Sequence, residues 1–97
     1  MFKIPKVIKI GGRLIPIIRT ISSDMDGRQG SYSPWTGKIK LANDSDASKE
    51  QEGISLIHEI LEQLNEAHEY KMLHPVIQGL AENLYQIIVD NEFGKEK

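Results

Sequence analysis

A chain of 97 residues has room for one small hydrophobic core, so a single domain is expected over residues 1–97. Hydrophobic residues at 39% and charged residues at 27% are ordinary for a folded chain and exclude a disordered or fibrous one. A formal net charge of −2 argues against a general nucleic-acid or anionic-membrane surface, and the lack of cysteine removes disulfides, thiolate metal sites and a Cys nucleophile. Any metal would then be held by His and carboxylate. Apolar runs fall far short of the roughly 20 residues needed to cross a bilayer, and Lys3, Lys6 and Lys9 interrupt the start where a signal peptide would be apolar. A cytoplasmic protein is expected.

Residues 2–10 are rich in Ile and Val with interleaved Lys, and residues 13–21 repeat that character after Gly11-Gly12. Two β-rich runs around a two-residue Gly-Gly turn predict a hairpin. Pro5 and Pro16 each remove a ladder donor and are expected at a strand end, a bulge or an outward edge position. Residues 22–36, dominated by Ser, Asp, Gly and Gln, read as a loop in which Tyr32 and Trp35 cap the core or line a cleft. Residues 37–42 alternate polar and apolar, which predicts a half-buried strand with Ile39 and Leu41 inward and edge-type lysines outward. The β-rich part is thus residues 1–47.

Residues 43–48 offer several helix N-caps, and Glu50 and Glu52 follow where carboxylates suit the helix dipole. A first helix is expected from about Ser48 to Tyr70, with Ile54, Ile57, Ile60, Leu61 and Leu64 as its buried stripe. Counting about 100° per residue from Ile57, His58 falls at about 100° and Glu62 at about 140°, on the border between the stripe and solvent. A break at residues 72–75 leads to a second helix, about Pro75 to Asn91, whose stripe is Ile77, Leu80, Ala81, Leu84 and Ile88. Gln78, Glu82 and Tyr85 share one border of that stripe, and residues 93–97 read as a cap and a polar tail. The fold class is therefore α+β: an antiparallel sheet of about three strands, then two helices over residues 48–91.

His58-Glu59-Ile60-Leu61-Glu62 carries the chemistry. On a helix, residues four apart lie one above the other, so His58 and Glu62 converge on one point with Glu59 beside them. The spacing is that of H-E-x-x-H, where two ligands hold zinc and the Glu polarises a water; here Glu62 stands where the second His would be. Carboxylate oxygen is an acceptable zinc ligand, and an oxygen-richer site admits Mn²⁺ and other hard divalent ions more readily. Taken alone, the string equally fits a solvated acidic face with Glu66 and Glu69. Glu82, 24 positions after His58 on the border of the next helix, is what turns the reading toward a metal site. His68 reads as a histidine of the core or its boundary. His74, before Pro75, reads as a capping or packing residue with a second role as supporting donor or transition-state stabiliser, and Tyr85 as a packed tyrosine within reach of a developing oxyanion.

The order of strands, an H-E helix and a second helix bearing Glu resembles a minimal zincin of the gluzincin kind. Residues 56–62 and 80–91 also resemble a group of small phage and prophage proteins, many of which carry a full H-E-x-x-H; the resemblance covers mainly residues 37–91. It implies a small metal-dependent peptidase in the cytoplasm of a bacterial host. Its divalent ion, zinc foremost, would be held by His58, Glu62 and Glu82, with Glu59 as general base and a peptide or protein as substrate. An extended peptide would add beside the strand around Ile39. The alternative it leaves open is a catalytically inactive zincin-like phage accessory protein acting as an interaction module.

Overall fold

In a computed structural model that describes residues 3–20, 30–33, 37–42 and 48–91, with backbone alone at 31–33, the chain forms a four-stranded sheet followed by two helices. This is the expected α+β layout. Gly11 and Gly12, at φ of +56° and +83°, turn the chain between β1 (Val7–Ile10) and β2 (Arg13–Thr20). Positive φ at both central positions is what a two-residue hairpin needs to match strand twist. Ile8 lies opposite Ile15 and Ile10 opposite Arg13 in the antiparallel pair.

The remaining strands are β3 (Gly30–Ser33) and β4 (Lys38–Ala42), and the order across the sheet is β1-β2-β4-β3. β3 and β4 pair antiparallel, so β4 returns to the direction of β2 and pairs with it in parallel, Ile17 opposite Ile39 and Thr20 opposite Ala42. The sheet is therefore mixed, where a wholly antiparallel one was expected. Nor is β4 an edge strand: it lies between β2 and β3, and Lys38 and Lys40 point to the outward face of the sheet rather than along its margin. Among the described residues the edge beside it is β3, within the expected loop at 22–36. The rest of that loop, with Trp35 and the side chain of Tyr32, lies outside the described residues, as do residues 43–47 and the tail from 92.

Pro5 precedes β1, at a strand end as expected, whereas Pro16 sits inside β2 opposite Val7. It is tolerated there because β2 changes neighbours at that point. Ile17 N–H donates toward β1, to Lys6 C=O at 2.8 Å, so the preceding nitrogen faces the other side, where the ladder with β4 begins only at Ile17.

Helix α1 (Lys49–His68) starts at Ser48, whose hydroxyl accepts from Gln51 N–H at 3.1 Å, and ends at Glu69 in the left-handed conformation. Helix α2 (His74–Asp90) has Pro75 in its first turn. α1 is the middle layer. Leu56, with Ile60 beside it, packs on Ile15, Ile17, Ile39 and Leu41 of the sheet, while Ile54 and Ile57 pack on Ala81 of α2. The expected single stripe on α1 is thus two faces, and Leu56 and Gln63 join the buried set because the sheet covers them. On α2 the stripe is narrower than expected. Ile77 and Ala81 are buried, but Leu80 and Leu84 remain 39% and 37% exposed because α1 covers one side of that apolar arc. Among the described residues no helix is long and apolar enough to cross a membrane.

Ile39 is fully buried on the central strand between the sheet and α1. Truncating it leaves a cavity as well as a lost transfer term, so Ile39→Ala is expected to lower unfolding free energy by about 2–5 kcal/mol in a denaturant titration.

Candidate metal centre

Three faces of α1 are distinguished by their angles about the helix axis. Taking Leu56 as zero at about 100° per residue, Gln63 and Ile60 flank it toward the sheet, Ile57, Leu61 and Ile54 gather near 100–160° toward α2, and His58, Glu62 and Ser55 fall near 200–260°. The third face lies at the margin of α2, where Gln78 and His74 approach His58. It opens into a cleft of about 360 Å³ bounded by Gly30 of β3 on the sheet side and His74 and Gln78 of α2 on the other. The border position expected for His58 and Glu62 is where they stand.

The chain between the helices delivers His74 to this cleft. Asn65, three residues past Glu62, clamps the connection: its Nδ2 donates to Met72 C=O at 3.2 Å and its Oδ1 accepts from Met72 N–H at 2.8 Å. Two residues later His74 begins α2 with its ring 4.8 Å from that of His58, centroid to centroid. Asn65→Ala removes both bonds of the clamp. It is expected to cost about 1–3 kcal/mol in stability and to weaken divalent-ion binding measurably, which parallel thermal melts and Zn²⁺ titrations check.

His58, Glu62 and His74 each offer one ligand atom, and these atoms all lie within 4.8 Å of one another. Ligands about 2.1 Å from a tetrahedral zinc ion stand roughly 3.4 Å apart, so the three side chains would have to draw together to hold such an ion. The donor set fits the chemistry of a divalent ion: two neutral imidazoles and one carboxylate leave a coordination position for water or substrate. His58 Nδ1 lies 2.8 Å from Gln78 Oε1, which leaves its Nε2 for the ion.

Glu59 lines the same cleft and is 9% exposed. Its side chain lies against the backbone of Gly30. A Cβ at position 30 would stand 3.3 Å from Glu59 Cγ, from Glu59 Oε2 and from Leu41 Cδ2. β3 thus approaches the H-E turn so closely that a side chain at position 30 would require its neighbours to give by a few tenths of an ångström.

Glu82 and Tyr85 stand apart from this group. Glu82 lies eight residues beyond His74, about 12 Å further along the helix axis, and its carboxylate accepts from Gln78 Nε2 at 2.9 Å. Both residues line a second cleft, with Glu50, Ile54 and Asp90. Burial first, then the charges of Glu50 and Asp90, push the Tyr85 phenol above its ordinary pKa. It therefore stays neutral well past physiological pH and is placed away from the cluster. His68 is exposed in the last turn of α1 and stacks on Tyr70 with centroids 5.4 Å apart, so it is neither a core histidine nor a member of the group. The α2 residue beside His58 and Glu62 is thus His74, where Glu82 was expected. Its sequence signal was the position itself, one residue before the proline that opens the helix. Gln78 was visible as a neighbour of Glu82 on one helical border, but nothing in the sequence tied it to His58.

Comparison with protein-family models, with curated proteins and with solved structures finds no match to this chain.

Proposed function

We propose that this protein is a small metal-dependent peptidase of zincin-like design, in which His58, Glu62 and His74 hold a divalent ion and Glu59 is the general base. The observation that carries the proposal is the convergence of two imidazoles and one carboxylate within 4.8 Å in a cleft that Glu59 also lines. The motif's missing second histidine is made good in space by His74. One carboxylate in place of two also leaves a 2+ ion with net positive charge, which favours zinc as the leading candidate with Mn²⁺ behind it.

The ion would supply Lewis acidity toward a scissile carbonyl. Glu59 would accept a proton from the attacking water and return it to the leaving amine. β3, the edge strand beside the H-E turn, is where an extended peptide would pair by main-chain hydrogen bonds, the role first assigned to the strand around Ile39. The setting that goes with this reading, the cytoplasm of a phage-bearing bacterium, rests on the resemblance of residues 37–91.

The second reading, an inactive interaction module, is favoured by the exposed apolar side of α2, where Leu73 and Val76 are 71% and 48% exposed. A mixed peptide library incubated with the Zn²⁺-loaded protein separates the two. Cleavage that stops on adding a chelator is the expected result; an ion-loaded protein that leaves the library intact supports the module.

A further inference from the structure

Resting on that reading, we propose that Glu82 is a positioning residue for the metal centre: acting through Gln78, it fixes the tautomer of His58 so that the lone pair lies on Nε2. His58 Nδ1 and Gln78 Oε1 are 2.8 Å apart, and Gln78 Nε2 donates to Glu82 Oε1 at 2.9 Å. The direction of the chain follows from its far end. A carboxylate accepts hydrogen bonds and donates none, so the NH₂ end of the Gln78 amide must face Glu82 and its carbonyl end must face His58. A carbonyl oxygen only accepts, so the proton of the neutral imidazole sits on Nδ1. Nε2 then keeps its lone pair for a cation, which is the state a histidine ligand must be in.

Each member is held where the relay needs it. Gln78 and Glu82 are four residues apart on α2 and therefore stand one above the other on a single face. His58 is 9% exposed, so water does not readily replace Gln78 at its ring nitrogen. The carboxylate polarises the amide, which strengthens its carbonyl as an acceptor. Glu82, the residue that the helix pattern points to as a ligand, thus acts at one remove.

Glu82 is exposed, so its replacement does not threaten the core. Long-range ¹H–¹⁵N correlation of the metal-free protein reads the tautomer directly. The wild type is expected to show His58 protonated at Nδ1. In Glu82→Ala the amide of Gln78 is free to turn its NH₂ toward His58, so the Nε2–H form should appear and Zn²⁺ affinity should fall about 10–100-fold. Glu82→Gln can still accept from Gln78 Nε2 but can also donate to Gln78 Oε1, so the direction of the amide is only partly kept: both tautomers should be seen, and Zn²⁺ affinity should fall less than in Glu82→Ala. A wild-type His58 protonated at Nε2 would overturn the proposal. So would a Glu82→Gln protein that loses Zn²⁺ as fully as Glu82→Ala, because that is the behaviour of a direct ligand. Wild-type protein that binds no ion yet shows the Nδ1–H form and its loss in Glu82→Ala would sink the metal reading and leave the relay standing.

Discussion

Replacing His74 by Ala is expected to weaken Zn²⁺ binding by well over the roughly 10–100-fold that loss of a supporting partner costs at a metal site. His58 and Glu62 alone are an i, i+4 pair on one face of α1, and such a pair gives a divalent ion two of the three protein ligands that an open catalytic site requires. The third comes from α2. It arrives there because α1 ends at His68, the connection is pinned by Asn65 to Met72, and α2 begins at His74 itself. Competition against a chromophoric chelator measures the affinity. His68→Ala is the matched control, since that ring stacks on Tyr70 and lies outside the group; it should bind as the wild type does. A His74→Ala protein with unchanged affinity would remove the α2 side of the centre.

Glu59→Gln is expected to lower peptide cleavage by about 10²–10⁴-fold, the usual contribution of a positioned acid–base group, while leaving the ion content at its wild-type level. The separation of the two effects follows from position. Glu59 lies about 100° around α1 from His58, against the backbone of Gly30 and outside the group of candidate ligands, so the amide takes over its volume without touching the ion. What the amide lacks is the capacity to accept a proton. Single-turnover cleavage of a library-derived peptide, compared at equal ion loading, is the measurement. Equal rates for the two proteins would take the base role away from Glu59.

Much of this arrangement is legible in the chain. Helical spacing alone places His58 and Glu62 on the border of a buried stripe, and Ile39 and Leu41 read as inward residues of a strand. Both hold because local periodicity expresses one face against one core. The sequence is less informative where a residue serves two neighbours. α1 is covered by the sheet and by α2, so its buried set includes Leu56 and Gln63, which a single stripe omits. β3 escapes notice because Gly30-Ser31-Tyr32-Ser33 offers one strong strand former in four. Its partner β4 was for that reason read as an edge. The third ligand position depends on the depth at which two antiparallel helices face each other. That depth is set by the Asn65 clamp and the start of α2, and periodicity within α2 carries no information about it. Hence Glu82, on the right border of its helix, is two turns too far along.

The central claim is that His58, Glu62 and His74 are the ligands of one divalent ion. Anomalous diffraction at the zinc edge, from crystals of the wild-type protein grown with Zn²⁺, tests it most directly. One peak is expected at about 2.0–2.2 Å from a ring nitrogen of His58, a carboxylate oxygen of Glu62 and a ring nitrogen of His74, with Gln78 still between His58 and Glu82. A peak coordinated by Glu82 in place of His74, or no peak in the cleft beside Glu59, would contradict it.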